Sequence, residues 1–156
     1  MGAVNAICSV DELKGYVGRE VGVGDWFELT QERVDAFADV TGDHQWIHVD
    51  VERARSSPFG GTIAHGLLLL SCMPLTRGYE LRLPVKWGLN YGYDRIRFPA
   101  SAPVGRRLRL RSRVLEVTEP APNQLQLKME HQVEVEGVAK PAMVAEQLTR
   151  YSLEGS

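Results

Sequence analysis

The sequence predicts an α+β fold, with short helices first and an antiparallel sheet after them. Three observations carry this. Apolar residues of the first half recur at helical spacing, as Val34, Phe37 and Ala38 do at i, i+3 and i+4. In the second half they alternate with charged residues at period two. Between the two regimes lies one run, Gly66 to Arg77, that is apolar around most of its circumference. Helices gathered on one face of an antiparallel sheet make a layered domain, and the simplest packing wraps the sheet around that run.

Taken in order, Ser9-Val10-Asp11-Glu12 is a capping box that starts a short helix ending near Gly15 or Gly18. Residues 26–30 alternate as a short strand, after which Thr30 caps a second helix and Gly42 stops it. Asp43 to His48 is then a loop leaving a helix. Asp50 caps another short helix over residues 51–56, and Ser57 to Gly61 is a loop. Gly66 to Arg77 should be buried all round, with Pro74 kinking or ending it. Residues 78–86 read as a connector. The remaining segments read as strands: Ile96 and Phe98 against Arg95 and Arg97, Leu108 to Val114 against four arginines, Leu125 to Val135 against Gln, Lys and Glu, and a last strand through Val144 and Leu148 toward Tyr151. Such alternation buries one sheet face and wets the other.

Composition narrows the function. The chain of 156 residues is long enough for one domain spanning 1–156 with a sizeable core. A net charge of -2 gives no whole-protein attraction for nucleic acid or an anionic membrane. The longest apolar run, Gly66 to Leu70, is far too short to span a bilayer. Met1 to Ser9 shows neither a basic n-region nor a signal-peptide core. Cys8 and Cys72 lie far apart, and Cys72 reads as a small core residue, so a reduced, cytoplasmic setting is expected. Residues 91–113 hold seven arginines, but no aromatic residues interleave with Arg106 to Arg113 as a base-stacking platform requires. Five glutamates in residues 116–136 offer partners across neighbouring strands, so the stripe is expected to be structural.

Chemistry concentrates in Thr41-Gly42-Asp43-His44-Gln45-Trp46-Ile47-His48, read with Ala64-His65-Gly66. Asp43 and His48 put a carboxylate and an imidazole on one loop, suited to moving protons of water. Gly66 opens the apolar helix, where the first N–H groups have no intrahelical partner and can meet a developing oxyanion. His44, His48 and Asp43 could be taken for a metal cluster, but no third ligand set with supporting groups accompanies them, so no metal is expected. His65 reads as a brace for the helix start and His131 as a core histidine satisfied on the inward strand face. Neither a nucleophile elbow nor a phosphate loop or dinucleotide fingerprint occurs.

These residues resemble the signature of the MaoC-like dehydratases, the (R)-specific enoyl-CoA hydratases. That pattern joins G-D-x-x-x-[LIV]-H to a small residue six positions on, here Gly42, Asp43, Ile47, His48 and Ala54, with a later H-G at His65 and Gly66. Asn90-Tyr91-Gly92 and Arg95-Ile96-Arg97-Phe98-Pro99 look like the branch that includes nodulation protein N. Gln45 and Trp46 depart from the Asn and Pro of many members. The resemblance implies a hot-dog fold, an antiparallel sheet wrapped around a long central helix, and a homodimer with substrate channels near the subunit interface. It implies Asp43 and His48 as the catalytic pair and the Gly66 N–H as oxyanion donor. The reaction implied is reversible hydration of a trans-2-enoyl-CoA to an (R)-3-hydroxyacyl-CoA. Coenzyme A is then part of the substrate and no other cofactor is expected. A hot-dog acyl-CoA thioesterase and a non-catalytic acyl-CoA-binding module are the alternatives.

Overall fold

Side-chain caps set the helix starts where the sequence places them. The computed structural model describes residues 4–155; the outer ends of the expected domain, residues 1–3 and 156, lie outside the described residues. After a three-residue strand, β1 (Asn5–Ile7), helix α1 (Val10–Gly15) begins at Ser9, whose Oγ accepts from the Glu12 N–H at 3.0 Å. The Glu12 carboxylate reaches back one residue further than a capping box requires, accepting from the Cys8 N–H at 2.8 Å. Strands β2 (Glu20–Val23) and β3 (Phe27–Glu28) precede α2 (Gln31–Thr41). Thr30 caps α2 by accepting from the Arg33 N–H at 3.3 Å, and Gly42 ends it at φ 78°, a left-handed conformation that glycine adopts without strain. Val34 and Ala38 are fully buried and Phe37 half-buried, as the stripe predicts.

The expected loop from Asp43 to His48 is shorter than the sequence suggests. Residues 46–49 wind into one helical turn, α3 (Trp46–Val49), so His48 sits on a helix and not in a loop. Asp50 then caps α4 (Val51–Arg55), accepting from the Arg53 N–H at 3.0 Å.

The apolar run departs most from expectation. Helix α5 (Gly66–Ser71) covers only six residues and passes into a 3₁₀ turn at Met73–Thr76 that contains Pro74. Proline has no N–H for the helical ladder, and its ring clashes with the preceding turn. Leu68, Leu69, Cys72 and Met73 are buried, whereas Leu67 and Leu75 are 60% and 53% exposed in the single chain. The run is therefore buried on one side, not all round.

Four long strands, with the short β2 and β3, form the sheet: β5 (Val85–Arg97), β6 (Arg107–Thr118), β7 (Gln124–Val135) and β8 (Met143–Leu153). Their antiparallel order is β2-β6-β7-β8-β5, with β3 also on β6. The inner face carries Leu108, Leu110 and Val114 of β6 and Leu125, Leu127, Met129, Val133 and Val135 of β7, all buried. Leu108, Leu110, Val133, Val135, Met143 and Ala145 pack against the buried side of α5. This is the hot-dog arrangement, with a central helix shorter than the resemblance implies. Strand β5 begins ten residues earlier than the alternation of Arg95 to Phe98 announces, and most of it is exposed.

The segment expected as a connector holds another strand, β4 (Tyr79–Leu81), which pairs in parallel with β1. Tyr79 there joins Ile7, Leu13, Val21, Val114 and Leu125 in a second core cluster. The backbones touch closely at this point: a Cβ on Gly22 would lie 2.3 Å from the Gly78 carbonyl oxygen.

On the wet face the charge ladder forms as the sequence predicts. Arg107 pairs with Glu136, Arg109 with Glu134 at 2.6 Å, and Arg113 with Glu130 at 3.1 Å. Arg111 takes Glu20 at 2.6 Å, a partner on β2 that the sequence pattern did not indicate. Pairs this exposed add little stability, but they neutralise the arginines. No sequence-independent binding of DNA or RNA with a dissociation constant well below micromolar is expected at physiological salt. A filter-binding titration that found one would overturn this reading of the ladder. Among the described residues no helix is long and apolar enough to cross a membrane.

Candidate functional site

Three chain segments converge on one small volume. Gly42 stops α2 and releases Asp43, whose exposed carboxylate accepts from the Gln45 N–H at 3.4 Å. The α3 turn then carries His48 inward until it is 6% exposed. Gln31 of α2 locks this in place: it donates to the His48 carbonyl at 2.8 Å and accepts from Thr62 at 2.5 Å. The third segment is Ile63–Ala64, tied by its N–H groups to the Ile47 carbonyl at 3.0 Å and the Ala102 carbonyl at 2.9 Å.

Hydrogen bonds fix how each imidazole is protonated when neutral. His48 Nδ1 lies 2.7 Å from the Ile63 carbonyl. A carbonyl only accepts, so Nδ1 holds the proton and Nε2 presents a lone pair. His65 Nε2 lies 2.9 Å from the Asp43 carbonyl and donates to it, which leaves its Nδ1 as an acceptor. That nitrogen is buried and has no partner among the described residues. The two imidazoles stack, with centroids 3.8 Å apart and planes inclined by 25°, and Phe37 packs on His65 at 5.1 Å.

His65 is thus more than a brace for the helix start. It supports the His48 ring, holds the Asp43 backbone and precedes Gly66, so it ties all three expected residues together. Its position beside Gly66 was the only sequence signal for this. His44 goes elsewhere: exposed, it pairs with Asp39 at 2.8 Å, and that hydrogen bond raises its pKa. The grouping that could reach a metal ion is therefore Asp43, His48 and His65, with one donor atom of each within 4.8 Å of the others. The stacking opposes shared coordination. An ion must lie near both ring planes at about 2 Å from each nitrogen, and planes so nearly parallel, with centroids 3.8 Å apart, do not meet that close.

A cavity of about 340 Å³ adjoins this group, lined among others by His48, Ile63, Gly66, Leu69, Phe98 and Ala142. Gly66 is the first residue of α5, and among the described residues its N–H has no backbone acceptor. A Cβ at this position would come within 2.9 Å of the Phe98 ring, so glycine allows that ring to close over the helix start. With six residues α5 has a weak dipole, and the free N–H itself is what the site can offer. The structure brings together a carboxylate, an imidazole lone pair and a backbone donor; of the histidines the sequence analysis weighed, it adds His65 to them and leaves out His44 and His131.

Comparison with known proteins shows the family. The family model described as MaoC like domain matches residues 12–138, a span that includes all four of these site residues. The 3-hydroxyacyl-thioester dehydratase Z of Mycobacterium tuberculosis (strain ATCC 25618 / H37Rv) is 48% identical over 144 residues, covering 92% of this chain and 95% of that protein. Nodulation protein N of Rhizobium leguminosarum bv. viciae is 41% identical over 145 residues, covering 90% and 89%. Among solved structures, an (R)-hydratase from Pseudomonas aeruginosa superposes with a TM-score of 0.67 at 23% identity, over 88% of this chain and 83% of that one. An (R)-hydratase from A. caviae gives 0.64 at 22% identity, over 85% and 96%; at such identities the likeness speaks for the fold alone. The chain belongs to the MaoC-like dehydratase family.

Proposed function

We propose that the protein catalyses reversible hydration of a trans-2-enoyl-CoA to the (R)-3-hydroxyacyl-CoA, with Asp43, His48 and Gly66 as its working groups. The observation that carries this is the His48 hydrogen bond to the Ile63 carbonyl. It points the Nε2 lone pair away from the backbone, in a group whose donor atoms, one each from Asp43, His48 and His65, lie within 4.8 Å of one another. A water held between Asp43 and His48 has one proton facing a base and the other facing an acceptor that orients it. His48 Nε2 takes a proton as the water oxygen bonds to C3. The C2–C3 double bond electrons pass to the thioester, whose oxygen becomes enolate-like and accepts from the Gly66 N–H. The His48 imidazolium then returns a proton to C2 on the same face, and the imidazole is neutral again. The thioester polarises its own double bond, so the scheme requires no metal or redox group, and coenzyme A enters as part of the substrate. The likeness to a 3-hydroxyacyl-thioester dehydratase at 48% identity supports this chemistry.

The test is crotonyl-CoA hydration, followed by loss of enoyl-thioester absorbance with a thiol reagent in parallel. Hydration without thiol release is expected. Thiol release without hydration would identify a thioesterase, and saturable binding with neither would identify a binding module.

The working unit is proposed to be a homodimer of single-domain subunits, in a cytoplasmic setting. Strand β5 is 13 residues long and pairs with β8 on one side only, leaving its other edge without a strand among the described residues. Trp87, Leu89 and Tyr91 along it are 51%, 57% and 55% exposed. A long apolar edge invites pairing unless it is covered, and a two-fold axis beside β5 would cover both copies at once. Light scattering at micromolar concentration should give twice the mass of one chain, and Leu89→Lys should shift it toward monomer. A wild-type protein that scatters as a monomer would refute the dimer.

A further inference from the structure

A second and larger cavity, of about 510 Å³, borders the same helix. Gly66 and Leu69 line the first cavity, and Leu70 and Met73 line the second. Gly66, Leu69 and Leu70, at i, i+3 and i+4, share one face of α5, so that face borders both cavities, and Met73 of the following 3₁₀ turn continues the second. Gly66 to Leu70 is a rise of only about 6 Å at 1.5 Å per residue. A chain whose carbonyl sits at the Gly66 N–H therefore has only about this distance to cover to reach the second cavity.

The far part of this cavity is polar in one direction only. Gln147 Oε1 lies 3.1 Å from His131 Nε2 and can only accept, so Nε2 holds the proton. His131 Nδ1 then accepts from the Ser112 hydroxyl at 2.9 Å. The Gln147 amide donates to Asn90 and to the Tyr93 oxygen, each at 3.3 Å, and the Asn90 amide also donates to Tyr93, at 3.1 Å. The Tyr93 oxygen has thus received two protons' worth of hydrogen bonding, and its own O–H has no acceptor among the described residues. Arg77 is the second donor. Exposed, it lies over the Tyr79 ring at 5.4 Å and has no carboxylate partner among the described residues. No Asp or Glu lines the cavity. Its imidazole is held neutral: burial foremost, with the Arg77 charge adding, lowers the His131 pKa to about 4. The cavity therefore offers a cation and a free phenolic donor, and no anion to oppose them.

We propose that this cavity receives the far end of the acyl chain, and that the preferred acyl group ends in a carboxylate held by Arg77 and the Tyr93 hydroxyl. The inference rests on the hydration reading, because it places the thioester at Gly66. Charge-assisted hydrogen bonds of this kind typically favour the charged ligand by about 1.5–3 kcal/mol in a dry site. Arg77 is open to water, so an effect on the order of tenfold is the fitting expectation.

Binding of saturated thioesters tests this without turnover. Isothermal titration would compare hexanoyl-CoA with adipoyl-CoA and octanoyl-CoA with suberoyl-CoA. At one of the two lengths the carboxylated thioester should bind about tenfold tighter to the wild type. Arg77→Gln and Tyr93→Phe should each remove most of that preference. Both should retain wild-type hydration of crotonyl-CoA, whose acyl group is too short to reach these residues. A preference absent at both lengths would overturn the proposal. So would equal weakening of both members of a pair in Arg77→Gln, since that would place Arg77 on the coenzyme A portion they share. Failure of the wild type to hydrate crotonyl-CoA would instead count against the hydration reading, while the titrations still decide what the cavity binds.

Discussion

Asp43→Asn and His48→Gln each lower crotonyl-CoA hydration by on the order of 100- to 10,000-fold, the range of a positioned acid–base group, because His48 moves the proton only of a water that the Asp43 carboxylate holds in place. The folded protein survives both changes. Asp43 is exposed, and its carboxylate makes one long hydrogen bond, to the Gln45 N–H at 3.4 Å, which the asparagine oxygen can still accept. His48 is buried, but a glutamine amide can keep a donor near the Ile63 carbonyl that now accepts from Nδ1 at 2.7 Å. What glutamine cannot supply is the Nε2 lone pair that becomes an acid after taking a proton. If the two residues hold one water, the double variant should be little worse than either single, because groups that act as a unit are not additive. A purely structural pair would behave otherwise: thermal stability would fall first, and turnover per folded molecule would stay near wild type. Circular dichroism melts beside the hydration assay separate the cases. Near-wild-type turnover in folded His48→Gln would end the mechanism proposed above.

How far this site could be read from the chain differs from residue to residue. Gly42, Asp43 and His48 lie within seven positions, and a helix stop, a loop and an inward turn follow from local rules, so their proximity was legible. The position of His65 against them was not. Stacking on His48 depends on the Ile63–Ala64 segment docking between α3 and the Ala102 carbonyl, a contact across some forty residues that no periodicity announces. The sheet was legible in β6 and β7 because one face is dry and the other salt-bridged. Strand β5 was legible only at its end. From Trp87 to Tyr93 both of its faces carry apolar or uncharged groups, as expected of an edge that awaits a partner and not of a half-buried strand. The pair β1 and β4 was invisible, since three residues are too few for alternation to show. The helix length was misread because an apolar run gives the period but not its limit, and Pro74 limits it earlier than the hydrophobicity suggests.

Acid sensitivity should reside in His131. The residue is 2% exposed on the inner face of β7, bonded through Nδ1 to Ser112 and through Nε2 to Gln147. Its pKa is lowered from 6.5 to about 4: burial is the main cause, the Gln147 hydrogen bond opposes it, and the Arg77 charge adds to the lowering. The sign follows from proton uptake. Between these two values the unfolded chain binds a proton at this site and the folded chain does not, so stability rises with pH across the window. The contribution is fully present above pH 6.5, falls as pH drops toward 4, and is then lost. A separation of this size is worth roughly 3 kcal/mol, a large part of the stability of an ordinary domain. His131→Gln keeps a donor and an acceptor for Gln147 and Ser112 but cannot titrate. Urea denaturation of both proteins from pH 7 to pH 4.5, which spans most of this window, should show the wild type losing roughly 2 kcal/mol more than the variant. Carboxylate titrations are common to both and cancel in the difference. Parallel stability curves would show that the unfolded and folded chains bind the His131 proton alike. The same protonation leaves the second cavity in order: Nε2 still donates to Gln147, and the Ser112 hydroxyl can turn to accept from the newly protonated Nδ1.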